Sequence, residues 1–599
     1  MLRISRYGFF IIIIILGYIE FSFSEEISFE LDPIVVTKTK PYLLKTYTLD
    51  SYQIKDSFYG SLTGGLKNLP LDLQSRNLKA DIQTDFSLRG SSYQGVLILI
   101  DGQRINDPKS GHYNCDLAIT KEDIERIELI PGLGSSLFGP DALGGAVNII
   151  LKKPKEKSRI IENSFGSYQT IRNLVSFSEK KDNLGIRFSL EEEESAGFYF
   201  DTDFKRLVAN LKSSLDIPYK VLDLDLGYLE KEFGAYDFYT PAKGYPSKEW
   251  IRVYHLNIGS ILENQTFWIK PNLLWRRHYD KFMLDKTFIK STTLNHHRSD
   301  VYIPSIYFQK ETKGFGRLGL GIEYGFEEVN STVLGKRSRG HKSIVIDNLK
   351  EFNLNSLLGA SLRIDDYEGF AEAYTGSLAL RYKILEDWLM RIFLSRSIRL
   401  PTFHELYYAD PTTVGNSGLS CEKALNYELG FDYEKDKFLF GLTLFLRKEK
   451  NLIDWVRLTP HQPRWQAENI TKANVFGLEN YLRLKIKQNL SLDSYYTYID
   501  KWLDDAGCIY KYGPNYSRHL FNTYLNLDLS FGAQRIGFSY KKRPQRDGWF
   551  LINLYSYYQI KKGFKLFLEI TNLLNVEYQE IEGIPQPPRW IQLGLRLEW

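Results

Sequence analysis

Trp590-Ile591-Gln592-Leu593-Gly594-Leu595-Arg596-Leu597-Glu598-Trp599 reads as a single strand. Apolar and polar positions alternate, and the segment stops on an aromatic. The result is a strand with one greasy face and one wet face. A strand that closes a transmembrane β-barrel needs both, with lipid outside and water or a polar filling inside. The terminal ring suits a membrane interface. The same alternation returns at Leu222, Leu224, Leu226 and Tyr228, interleaved with Asp223, Asp225 and Gly227, and at Leu566, Leu568 and Ile570, interleaved with Lys565, Phe567 and Glu569. Asp and Lys are poor strand formers in a soluble core. They fit where one face is polar by design.

Residues 159–599 show strand after strand. At about 10 residues per tilted strand, plus turns and longer outer loops, that length accommodates roughly 22 antiparallel strands. A soluble propeller or long sandwich shares the repetition. The polar-faced strands, the aromatic end and a secretion signal favour the barrel. That signal occupies residues 1–24: Arg3 and Arg6 precede an apolar run from Tyr7 to Ile19, and Ser22 and Ser24 place small residues before Glu25. The run is short for a bilayer-spanning helix.

The chain has 599 residues, too many for one ordinary soluble core. Its net charge is +4, with acids and bases nearly matched, and nothing suggests a nucleic-acid binder, which usually clusters its basic charge. Tyr (40) and Phe (37) are abundant, as an interfacial girdle requires. Cys115, Cys421 and Cys508 show no CxxC spacing, which argues against a zinc site and leaves a Cys421–Cys508 bridge open.

Residues 25–45 form a segment without helical period. It contains the β-branched run Pro33-Ile34-Val35-Val36-Thr37-Lys38, suited either to edge pairing with another protein's sheet or to a first strand. Residues 46–155 read as a compact mixed α/β unit. Tyr59 to Leu69 is expected as a helix, with Leu62, Leu66 and Leu69 on one side. Val96 to Ile100 is an unbroken apolar strand ending at the turn Asp101-Gly102. Ile124 to Ile130 and Ala146 to Leu151 are further strands. Gly132, Gly134, Gly139, Gly144 and Gly145 are not followed by Gly-Lys-Ser/Thr, so nucleotide binding is not expected. The charged break from Lys152 to Lys157 separates this unit from the strands. A barrel of this size encloses a wide lumen, and the compact unit is the natural plug.

These features resemble the TonB-dependent outer-membrane receptors, closest to their cobalamin-receptor branch, over nearly the whole mature chain. Asp32-Pro33-Ile34-Val35-Val36-Thr37 matches the energy-coupling TonB box. Phe86-Ser87-Leu88-Arg89-Gly90 matches the plug's "IRG" motif, and Val96 to Asn106 its "VLIDGxRxN" motif. Ile124 to Glu128 and Ser135 to Ile150 match the longest plug signature. Ser395 to Tyr407, Gly415 to Gly430 and Thr571 to Asn575 resemble barrel motifs in order. Two departures stand out. Pro131-Gly132-Leu133 replaces a usual "RGP", removing one arginine often paired with barrel carboxylates and leaving Arg89 and Arg126 as plug–barrel contacts. Trp599 replaces a usual Phe.

The resemblance implies a 22-stranded antiparallel transmembrane β-barrel with a mixed α/β N-terminal plug, placed in a Gram-negative-type outer membrane as a monomer. It implies a ligand-gated importer. A corrinoid leads as cargo, with a ferric siderophore second and haem third. The TonB C-terminal domain is the implied partner, adding Ile34-Val35-Val36 as a strand. Asn106, Asp107, Ser110, His112 and Tyr113 match an apical plug loop that contacts substrate; a solvated turn around Pro108 and Gly111 is the alternative. His112 and His404 keep the haem reading open. Asp201, Asp203 and Asp237 fall where cobalamin receptors carry calcium-binding outer loops, although acidic hairpin tips also serve solubility. No cofactor is required. A passive porin would need no plug or coupling box. An outer-membrane enzyme would need a catalytic arrangement, and no Gly-x-Ser-x-Gly element is present.

Overall fold

The computed structural model describes residues 45–154, 157–239, 243–264, 266–288, 294–503, 507–513 and 515–599. The signal segment and the box at Asp32 to Thr37 lie outside the described residues. Among those described, twenty-two antiparallel strands close into a barrel, with two-residue bridges Thr413–Val414 and Ile509–Tyr510 at one rim. Trp590–Glu598 makes the closure. It pairs with Phe564–Thr571 on one side and with the first barrel strand, Ser158–Gly166, on the other. No described helix is long and apolar enough to cross a membrane.

Burial follows the alternation with the sense of a membrane barrel. Leu593 is 50% exposed and Leu595 44%, while Gln592 between them is 2% exposed. Leu222 and Leu226 point out, and Asp225 is buried. The apolar face has no protein to cover it, so lipid is its solvent.

The lumen holds the plug. Its strands are β1 (Tyr47–Asp50), β2 (Asp72–Asn77), β3 (Ile82–Ser87), β4 (Val96–Ile100), β5 (Gln103–Arg104), β6 (Ile124–Pro131) and β7 (Gly145–Leu151). Five form one mixed sheet in the order β1-β6-β7-β4-β5, with β4 and β7 parallel. β4 lies inside the sheet between β7 and β5 and is fully buried, as an unbroken apolar run requires. Asp101 and Gly102 both take positive φ and turn the chain into β5. β2 and β3 form a separate hairpin.

The helix expected from Tyr59 to Leu69 is a single turn, Leu62–Leu66. Tyr59 and Gly60 have φ of 74° and 64°, so the backbone is left-handed just before it. Ser61 then caps the turn by accepting the Gly64 N–H, and Pro70 follows. Leu62, Leu66 and Leu69 are all buried.

The plug motifs have structural reasons. Asn148 of β7 donates to Glu128 of β6 (2.8 Å) and accepts the Gly102 N–H (3.1 Å), tying the "IERIE" strand to the "GGAVN" strand and the turn. A Cβ on Gly144 would stand 2.3 Å from the Leu88 carbonyl oxygen, so this close approach needs glycine.

Candidate functional site

The two barrel rims differ. One closes in tight turns, such as those between Ile217 and Lys220 and between Lys561 and Phe564; the other carries the long loops 400–421 and 572–589. Short turns mark the periplasmic rim and long loops the outer rim. Lys45 bonds Asp432 (2.8 Å) near the short-turn rim, so the chain enters the plug from that side.

Buried charge pairs fasten the plug to the wall. Arg89 reaches Glu479 through Nε (2.8 Å) and Nη2 (2.6 Å), and Glu428 through Nη1 (2.5 Å). Lys79 meets Glu569 (2.9 Å). Arg276 meets Asp107 (2.8 Å) and Arg596 meets Glu122 (3.0 Å). Lys541 and Arg543 share Asp72, at 2.9 and 3.1 Å. Arg126 bonds Glu128 of its own strand (2.8 Å), so this contact lies within the plug.

Gly132, at the departure from "RGP", stands beside Arg89. A Cβ there would lie 2.8 Å from Arg89 Nη1 and 3.0 Å from Glu428 Oε2, at a φ of +64°. An alanine is therefore strained and intrudes on the ion pair. Gly132→Ala should cost about 1–3 kcal/mol of plug docking, read as lost amide-exchange protection in β6 and β7; unchanged protection would refute it.

Between the plug's outer surface and the barrel lies an open cleft. The plug contributes Arg76, Asp85, Tyr93 and His112; the barrel and outer loops contribute Asp454, Lys501, Tyr512 and Asn515. His112 Nδ1 lies 2.8 Å from Asp85. Its ring stacks on Tyr93 (centroids 4.2 Å, planes 14° apart), and Tyr93 meets Tyr512 edge-on (5.7 Å). Burial pushes the Tyr93 hydroxyl well above its ordinary pKa, so the ring stays neutral. Arg76 donates to the Phe238 carbonyl (3.3 Å), while its Nη1 is buried without a hydrogen-bond partner. Asp454 accepts backbone N–H groups from Trp455, Tyr512 and Gly513. The cleft thus offers aromatic faces and charges of both signs.

Of the five loop residues expected at the ligand, His112 borders this cleft. Asn106 bonds the β4 backbone, accepting from Ile98 N (2.8 Å) and donating to Val96 O (3.0 Å). Asp107 is buried against Arg276. Burial raises its carboxyl, but Arg276, His278 and Lys109 more than reverse this and hold it well below the usual carboxylate range. Asn106 and Asp107 line a separate polar space with Arg104 and Arg339. Ser110 accepts the His112 N–H, and Tyr113 is packed on His278 (4.6 Å). His404 Nα donates to the Lys109 carbonyl, docking the outer-loop turn Phe403–Tyr407 on this plug loop. Its ring stacks on Tyr408 (4.2 Å), and burial holds its pKa well below the ordinary value. Tyr93, Arg76 and the barrel residues carry no motif that sequence reasoning could have used.

The calcium expectation meets a poor fit. Lys286 pairs with Asp201, and Asp237 accepts backbone N–H groups of Gly244 and Tyr245. Asp201 Oδ2 is a single buried oxygen without a partner. Among the described residues, no group of three or more His, Cys, Asp or Glu side chains could hold a metal ion. Asp201, Asp203 and Asp237 therefore do not form such a site. Cys421 is a free thiol, so the Cys421–Cys508 bridge is not formed.

Two family models match the chain: the TonB-dependent receptor plug domain over residues 44–146, and the TonB-dependent receptor-like β-barrel over residues 198–573. The vitamin B12 transporter BtuB of Vibrio cholerae is 22% identical over 551 residues, covering 85% of each chain. The ferric enterobactin receptor PirA of Pseudomonas aeruginosa is 23% identical over 531 residues, covering 69% of this chain and 68% of that one. Among solved structures, the siderophore receptor PirA from Pseudomonas aeruginosa superposes with a TM-score of 0.74 at 18% identity, covering 92% of this chain and 99% of that one. The ferric-catecholate import receptor Fiu from E. coli gives 0.73 at 14% identity, covering 93% and 97%. With a closed, lipid-faced barrel, an enclosed plug and both domain models in order, the chain belongs to the TonB-dependent receptor family, outer-membrane transporters rather than enzymes.

Proposed function

We propose that this receptor imports a corrinoid, with cobalamin the leading candidate, by coupling to the C-terminal domain of TonB through Asp32 to Thr37. The observation that carries the cargo is the charge balance of the cleft. Arg76 and Lys501 share the lining with Asp85 and Asp454, and the rest is a mixture of aromatic, amide, serine and aliphatic residues. Such a surface suits a large polar organic ligand of low net charge. A ferric catecholate, which is strongly anionic, would favour a basic surface. The vitamin B12 transporter BtuB of Vibrio cholerae, matched over 85% of both chains, supports the same reading. The cleft is open, so it would take one face of a bulky ligand while the outer loops take the rest. The reading requires no cofactor and no partner copy.

Equilibrium binding of cyanocobalamin to the detergent-solubilised receptor tests it. Saturable, sub-micromolar binding is expected. Binding of a ferric catecholate but not of cyanocobalamin would overturn the corrinoid assignment and leave the importer reading intact. Tyr93→Ala removes the ring that stacks on His112 and should weaken binding by about tenfold, the scale of one lost aromatic contact. Unchanged affinity would remove Tyr93 from the ligand surface.

A further inference from the structure

We infer that the outer rim carries a second binding site, a lipid-facing lysine ladder that takes the phosphate groups of an anionic outer-leaflet lipid. Three adjacent barrel strands build it: Glu422–Lys435, Phe438–Arg457 and Trp465–Lys487. Their register sets Lys423 directly opposite Lys450, and Lys450 directly opposite Lys472. One step toward the membrane, Lys448 lies between Leu425 and Asn474. Arg396 lies on the far side of Leu425. All five cations are exposed, in phase with the outward Leu425, Leu444 and Phe476 and opposite in phase to the buried Glu422, Glu449 and Val475.

Like charges directly opposite each other across a strand pair are destabilising. Among the described residues, no salt bridge relieves Lys423, Lys448, Lys450 or Lys472. Another wall of the barrel behaves differently. There Lys248 pairs with Glu232 (2.5 Å), Arg252 with Glu230 (2.6 Å), Arg277 with Asp300 (2.6 Å) and Arg298 with Glu328 (2.6 Å). One outward face thus neutralises itself, and the other leaves its cations for something outside the chain.

The depth identifies that something. At the periplasmic rim Tyr433 packs against Trp388 (4.9 Å) and Phe438 (5.8 Å), marking the inner aromatic girdle. From Tyr433 up to Lys423 the strand climbs roughly 25 Å, at about 3.3 Å per residue and a tilt near 40°. That is the height of the apolar band, so the ladder meets the outer-leaflet headgroups. Trp502, 51% exposed and opposite Asn474, adds an interfacial ring beside it. Lysines at this level snorkel to phosphate while their stems stay on apolar surface.

The test uses the full-length receptor, delipidated in neutral detergent. The probes are an acylated glucosamine disaccharide bearing two phosphates, the same lipid with both phosphates removed, and inorganic phosphate. The receptor should bind the phosphorylated lipid only. Each of K423Q, K448Q, K450Q and K472Q should weaken binding by about fivefold, the scale of one surface lysine. A variant with Lys205, Lys248, Arg252 and Lys336 all replaced by Gln loses the same number of cations and should keep its lipid. In neutral detergent the quadruple ladder variant should melt at or above the parent, because repulsion is relieved; phosphorylated lipid should reverse that order. Equal binding of the dephosphorylated lipid, equal loss in the control variant, or displacement by equimolar inorganic phosphate would each overturn the assignment.

Discussion

Deleting Ile34 to Thr37 should bring ligand uptake by intact cells down to background while leaving equilibrium binding unchanged. The box lies outside the described residues, but the structure shows what it is tied to. Lys45 is held by Asp432 and lies over the rings of Tyr47 and Tyr481, at 5.5 and 5.2 Å. β1 follows at once, an edge strand of four residues paired only with β6 in the plug sheet. A pull on the segment therefore loads this edge of the sheet first. An edge strand parts from its neighbour without disturbing the buried β4–β7 centre. The candidate cleft is at the opposite rim, so its residues stay in place. Uptake and binding of labelled ligand, measured on the same cells, check the separation. Persistent uptake would mean a passive pore, and lost binding would mean that the segment shapes the cleft.

Arg89→Ala should be the most damaging single substitution inside the plug. Arg89 is 4% exposed and bonds two carboxylates that are as deeply buried, Glu428 and Glu479. Phe445 lies under the guanidinium at 4.4 Å. Removing one partner of such a buried set leaves uncompensated charge and costs about 3–5 kcal/mol. Amide-exchange protection of β4 and β7 should fall, and the receptor should leak large solutes. The triple variant Arg89→Ala, Glu428→Gln, Glu479→Gln removes the stranded charges and should recover most of the loss. If the triple variant is no better than the single one, packing rather than charge holds the plug.

Legibility differed between fold and site for a physical reason. The plug strands Val96–Ile100, Ile124–Pro131 and Gly145–Leu151 were readable because β-branched and apolar runs declare themselves locally. The helix expected from Tyr59 shrinks to Leu62–Leu66 because leucine spacing says nothing of the left-handed turn at Tyr59 and Gly60 that delays it. Asn106 was readable as part of a motif, but its role was not. The same amide that would suit a ligand instead bonds the β4 backbone. Arg89 and Arg126 looked alike in the sequence, yet one crosses to the barrel wall and the other bonds Glu128 two residues away.

The barrel, its outward and inward faces and the presence of a plug are written in the local pattern of the chain. These follow from a period of two and from runs of residue type, which are properties of neighbours in the chain. The partners of the buried charges and rings emerge with the folded barrel. Arg89 finds Glu428 and Glu479 at separations of 339 and 390 residues. Tyr93 finds Tyr512, and Lys423, Lys450 and Lys472 become one row only through strand register. Register and plug placement are set by the closure of the whole barrel, and no local pattern encodes which distant charges that closure brings face to face.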